Sequence, residues 1–177
     1  MHIYDYTPQK NTKQITGLII CLTSIGIGPF LFSLIIPNLP YKWLFQLLSI
    51  ILFTAVIFIT SRFAAKSFLY SVIKTDNDTL ELTVTEITNG GRSKITVCRI
   101  SVAGIESIER IDRTDKSSCD SQKKIEKQAK NDGRKSFNYS PNINPSSICL
   151  VLCEECGEKF LIKLECDDTL LSYLKNS

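Results

Sequence analysis

The residues best placed to do chemistry are three cysteines near the C-terminus, Cys149, Cys153 and Cys156. The run Cys153-Glu154-Glu155-Cys156 is a C-x-x-C, and two thiolates at that spacing in a turn are a half-site for zinc. A structural zinc site takes four ligands, commonly from paired motifs, and no second C-x-x-C exists in the chain. The sole histidine is His2, far away in sequence. Cys149 and Cys153 also fit the apolar face of a strand, which gives the bland reading of these thiols as small hydrophobes. No metal and no cofactor is therefore expected, with Cys149, Cys153 and Cys156 as the residues that would carry one.

Other reaction chemistry is thinly represented, and no catalytic residue is assigned. With one histidine, a Ser-His-Asp or Cys-His arrangement has almost nothing to draw on. Asn89-Gly90-Gly91-Arg92-Ser93 lacks the spacing of a phosphate loop and leads into a strand pattern rather than a helix. The carboxylate pairs Glu154/Glu155 and Asp167/Asp168 are explained by a turn and a helix cap. Net charge is +3, too weak a field to point to nucleic acid.

The elements that must position these residues begin with two apolar runs. Residues 15–36 carry no charge for 22 positions, and residues 43–61 none for 19. At about 1.5 Å per residue, each is long enough as a helix to cross a hydrocarbon core of roughly 30 Å. A secretory signal has a shorter apolar region and a small-residue cleavage site, whereas Phe30, Phe32 and Pro37 occupy that place here. Core helices of a soluble protein show a polar stripe, and these runs are apolar all round. The expectation is a transmembrane hairpin at 15–61, joined by a short linker at 37–42.

Basic residues set its orientation. His2, Lys10 and Lys13 precede the first run, Arg62 and Lys66 follow the second, and the linker holds only Lys42. Both termini are expected in the cytoplasm of a multi-pass cell-membrane protein, with Arg62 and Lys66 at the headgroups. Ser24 and Gly28, four apart, are expected to let the helices approach closely. Pro29 is expected to disturb the first helix, and Gln46 and Thr54 to hydrogen-bond across the pair. Neither run carries an ionisable group of the kind that lines ion pathways. The seven cysteines are read as reduced thiols behind a cytoplasmic topology.

Residues 1–14 read as a short cytoplasmic tail and 62–177 as one domain, large enough for its own core. Residues 62–67 leave the membrane as a last helical turn. Strand patterns follow at 68–74, at 79–88 with Leu80, Leu82 and Val84 on one face, and at 94–100 with Ile95 and Val97 inward. Asn89-Gly90-Gly91 turns between the last two. Ile105, Ile108 and Ile111 are spaced by three, and their β-branched, short segment favours strand over helix. Residues 114–145 form a polar insertion with a marginal helix at 120–131 and an extended proline-bounded tract at 137–145. Its acidic and basic residues alternate, which reads as a solvated loop rather than a lipid contact. Residues 148–154 are apolar on both faces and should be a central strand. A turn at Glu155-Cys156-Gly157 leads to a strand at 159–165 with Phe160, Ile162 and Leu164 inward, then a helix capped by Asp167 or Asp168 and ending at Lys175.

A membrane hairpin, several antiparallel strands and one C-terminal helix, in that order, resemble the bacterial pleckstrin-homology-like membrane proteins. The resemblance is carried by the hairpin at 15–61, Phe68-Leu69-Tyr70-Ser71-Val72-Ile73, Val97-Cys98-Arg99-Ile100 followed by Ile105-x-x-Ile108, and Gly157-x-x-Phe160-Leu161-Ile162 before the helix at 167–175. It is one of pattern and order, with 114–145 as an insertion, and six strand candidates stand against the seven of that barrel. It implies an α+β membrane protein whose pleckstrin-like barrel or sheet, plugged by a C-terminal helix, binds partners without catalysis. The partners expected are the lipid bilayer and a protein, which includes a second copy of the chain, and no nucleic acid. Two rival expectations are a sensor of lipid headgroups or a small ligand at the inner leaflet, and a metal or redox protein using the Cys153/Cys156 pair.

Overall fold

The computed structural model describes residues 2–36, 41–112 and 116–175. Residue 1, residues 37–40 of the linker expected at 37–42, residues 113–115 at the entry to the polar insertion, and the last two residues lie outside them. The chain divides into two compact units. One is the helical pair from Lys10 to Lys66, and the other combines the residues before Lys10 with those after Lys66.

In the helical unit, α1 spans Thr12–Ile35 and α2 spans Lys42–Ile59, the latter continuing into a π-helical turn at Thr60–Ala64. Asn11 caps α1 by accepting from the Gln14 N–H at 3.1 Å. The two helices are long and apolar enough to cross a membrane, and only 11% and 6% of their apolar windows are buried. They run antiparallel, since Phe32 meets Phe45 while Gly26 lies against Leu52 and Phe53. The contact seam differs from the one expected of Ser24 and Gly28. Both are exposed, and a methyl group at Gly28 would meet nothing within 4 Å. Gly26 makes the close approach, because a Cβ there would sit 3.4 Å from Leu52 Cβ. Buried Ser33 and Ser49 extend the seam, each satisfying its hydroxyl on its own helix. Thr54 likewise donates to Ile50 O of its own helix and does not bridge the pair. α1 runs through Pro29 without ending. Lys10, counted in the sequence only as a flanking charge, donates to Ala64 O at 2.6 Å and Lys66 O at 2.9 Å. It closes the carbonyl end of the second helix, where a cation complements the helix dipole.

The second unit holds two four-stranded sheets and a C-terminal helix, an α+β arrangement that shows no closed barrel among the described residues. The first sheet has the order β1-β2-β3-β4, with β1 at His2–Tyr6, β2 at Ser67–Lys74, β3 at Leu80–Thr88 and β4 at Ser93–Ser101. The second has the order β5-β7-β8-β6, with β5 at Ile105–Asp112, β6 at Lys135–Asn138, β7 at Ser147–Glu155 and β8 at Glu158–Leu164. Helix α3 (Lys116–Asn131) lies between β5 and β6 in the chain, and α4 (Asp168–Lys175) ends it.

β1 and β6 went unread in the sequence. β1 is five residues of mixed polarity, visible only through its partner β2, with Tyr6 opposite Tyr70. β6 pairs in parallel with β8 and is exposed at all four positions. The insertion is accordingly structured. α3 lays Ala129 and Ile125 on the outer face of the second sheet, against Ile111, Ile148, Leu150 and Leu161. This second core explains why β7 is apolar on both faces. Cys149, Val151 and Cys153 meet the main core between the sheets, while Ile148 and Leu150 meet α3. The threes of β5 resolve in the same way. Ile108 and Ile111 fall on opposite faces and serve different cores.

The main core joins Tyr70, Val72, Leu82, Val84 and Ile100 of the first sheet to Val151, Ile162 and Leu164 of the second and to Leu170 and Leu174 of α4. α4 is capped as expected, with Asp167 Oδ1 accepting from the Leu170 N–H at 2.9 Å. The turn from β7 to β8 has two left-handed residues, Cys156 (φ 51°) and Gly157 (φ 78°), the geometry that favours a two-residue hairpin.

Candidate functional site

β4 is where the alternation expected from sequence breaks. Val84 pairs with Cys98 and Thr85 with Thr96, so Val97 has no partner and forms a bulge. Cys98 and Ile100 turn inward. Ile95 and Val97, expected inside, are 60% and 36% exposed. The bulge re-aims the strand at the edge of its sheet, and among the described residues β4 pairs with β3 alone.

Across from this free edge lie β6 and β8. Val97, Cys98 and Ile100 on one side, and Phe137, Tyr139, Phe160 and Ile162 on the other, enclose a largely apolar cavity of about 350 Å³. This lies in the size range of ligand pockets. Glu155 also lines it, its Oε2 accepting the Ser101 N–H at 3.2 Å. Tyr139 spans the gap, its hydroxyl donating to Val97 O at 3.3 Å. Its ring stacks on Phe137 at 6.2 Å and meets Phe68 edge-on at 5.8 Å. Burial pushes the Tyr139 hydroxyl up to about 12 and the Cys98 thiol up to about 11. Both are therefore neutral near pH 7, and the cavity presents an uncharged interior with Arg99, Glu155 and Glu158 at its margin. Arg99 is paired with Glu81, and Glu158 with Lys135 at 2.7 Å. The cavity suits apolar groups held beside a strand edge, where side chains already take up Val97 O and the Ser101 N–H, and not ion chemistry.

The cysteines do not assemble as the C-x-x-C suggested. Cys153 is fully buried in the main core, with its thiol raised to about 12 by burial, while Cys156 sits exposed in the hairpin turn. A strand places alternate residues on opposite faces, so a C-x-x-C that runs from strand into turn separates its thiols. All seven cysteines are free. The two thiols that do meet are Cys149 and Cys166, whose hydrogen bond, followed by burial, holds Cys166 protonated well above the usual thiol range. Among the described residues no group of three or more His, Cys, Asp or Glu side chains is placed to hold a metal.

Arg62 lies in the π-helical turn with its guanidinium 5.1 Å over the Phe63 ring, and Lys66 follows two residues after that turn. The cavity residues escaped sequence reasoning because they come from β4, β6, the tract after it, β7 and β8, which are far apart in the chain. Phe137 and Tyr139 were the available signal, two aromatics in an otherwise polar tract. No protein-family model, curated protein or solved structure matches this chain.

Proposed function

We propose that the protein is an integral, multi-pass membrane protein whose hairpin anchors a cytoplasmic, pleckstrin-like β domain, and that this domain binds a partner protein rather than catalysing a reaction. The observation that carries the reading is the apolar cavity beside the free edge of β4. A strand edge without a neighbouring strand offers backbone donors and acceptors, of which Val97 O and the Ser101 N–H are held by the Tyr139 and Glu155 side chains. The occupant we assign is an extended segment of a partner protein. It adds to the β4 edge and sets alternate apolar side chains against Val97, Phe137 and Phe160. Ile95 and Val97 support this assignment, because along with Phe137 and Ile3 they are the large apolar side chains that the β domain leaves exposed among its described residues.

The cytoplasmic placement rests on Lys10, Lys13, Arg62 and Lys66 at the two hairpin ends against Lys42 in the linker. The β1–β2 pairing supports a common side for both ends, since β1 leads into α1 and β2 follows α2. Site-specific photocrosslinking in intact membranes tests the binding reading. Probes at positions 95 and 137 should join one and the same segment of one protein, a second copy of the chain included. A probe at Asp78, in an exposed turn, should not. Equal products from all three positions would refute the assigned surface.

A further inference from the structure

The polar insertion reads in sequence as mixed charge, and the fold sorts it. In α3, Glu126 faces inward, where Lys163 of β8 reaches it at 2.8 Å and Gln122 donates to it at 2.6 Å. Lys123, Lys124, Lys127 and Lys130 are all exposed. At 100° per residue these four fall within an arc of about 120° on the helix. One acid shares that arc, Asp120, which sits 3.9 Å from Lys123. Asp132 follows just past the helix end and is also exposed. The buried side of α3 carries Ala129 and Ile125 into the second core, so its outer side is fixed and cannot roll away.

We infer that this lysine face of α3 is an electrostatic contact for anionic lipid headgroups in the leaflet beside the β domain. The inference goes beyond partner binding at the β4 edge and rests on the membrane-anchor reading. The chain passes from the π-helical turn ending at Ala64 to β2 beginning at Ser67 through Ala65 and Lys66, so the domain is tethered to the anchor directly. A tethered domain meets its leaflet at high effective concentration, and clustered lysines near an anionic leaflet each add attraction that salt screens. The lysines are strongly hydrated point charges on flexible stems, without the planar fork that reads one phosphate bidentately. The ligand is therefore a charged surface and not a single headgroup in a pocket.

The test is hydrogen–deuterium exchange on the full chain in lipid nanodiscs, either of phosphatidylcholine alone or with phosphatidylglycerol added. Amides of α3 should exchange several-fold more slowly in the anionic discs. High salt should abolish the difference, and so should the Lys123→Gln/Lys124→Gln/Lys127→Gln/Lys130→Gln variant. β3 amides should be unaffected throughout, which reports that the variant is folded. A charge-reversed Lys124→Glu/Lys127→Glu variant, altering only exposed positions, should behave like the glutamine variant. Equal α3 exchange in the two disc types overturns the inference. Protection by added heparin in phosphatidylcholine discs, without protection by phosphatidylglycerol, overturns it in favour of a soluble polyanion. Failure of the chain to co-elute with either disc would defeat the anchor reading itself, and the inference with it.

Discussion

Single residues in this protein are governed mainly by what burial does to thiols and by how closely backbones approach. Cys153 and Cys98 are raised to about 12 and about 11 by desolvation, whereas Cys156 is exposed in a turn. Folding therefore favours the protonated thiols, and the unfolded chain loses those protons first, from about pH 9 upward. Stability should be full below that point and fall as pH rises toward 11–12, as thermal melts across alkaline pH will read. Maleimide labelling of the folded protein at pH 8 should modify Cys156 promptly and Cys153 only after denaturant is added. Equal labelling would mean that Cys153 is not held in the core. Gly104 is decided by space. A Cβ there would stand 2.6 Å from Glu154 O, a backbone atom that cannot swing aside. Gly104→Ala should cost about 1–3 kcal/mol of stability, measurable as a shifted denaturation midpoint, because it wedges β5 from the end of β7.

At the scale of elements, strand β1 and helix α3 are made by their partners. β1 has no apolar alternation of its own. It is held by Tyr4, which donates to Asp167 before α4, by the Tyr6–Tyr70 ring contact at 6.1 Å, and by Asn142 donating to Gln9 O at 2.8 Å. Tyr4→Phe keeps the ring contact with Tyr173 and removes only the hydrogen bond. It should cost about 1 kcal/mol and speed amide exchange in β1 well before β3 is affected, whereas uniform acceleration would show that β1 is no separate latch. α3 illustrates the same dependence. Its Ile125 and Ala129 pair is too small to stabilise an isolated helix, and only the outer face of the β5-β7-β8-β6 sheet makes it worth forming.

At the scale of the whole molecule, the strand order constrains topology. β1 precedes the first long apolar helix and β2 follows the second, yet they are neighbours in one sheet. If the helices span the bilayer, the N-terminal residues and the β domain must share a side, whatever the flanking charges say. Protease-sensitive tags at the two termini should therefore be cut together in vesicles of one orientation and protected together in those of the other, and the proposed cytoplasmic placement expects the cutting in inside-out vesicles. Opposite behaviour of the two tags would exclude the hairpin as a two-span anchor.

Much of this protein was legible without coordinates, for physical reasons that can be named. Uninterrupted apolarity over 15–36 and 43–61 announces long helices, because no other residue pattern satisfies so much backbone while exposing so little polarity. Strict alternation at Leu80, Leu82 and Val84, two-sided apolarity in 148–154, and Asp167 ahead of Leu170 and Leu174 are local signals of local structures. What the tertiary structure alone decided is non-local. The bulge at Val97 exists only as a mismatch between two strands, so Ile95 and Val97 could not be placed by alternation. The helix seam runs through Gly26 rather than Gly28, because rotation of α1 is set by what α2 offers it. β6 and β1 pair through backbone, which carries no side-chain signature. The C-x-x-C motif promised a site, but strand geometry parts Cys153 from Cys156, while the cavity drew on β4, β6, β8 and the tract after β6, brought together only when two sheets meet without closing.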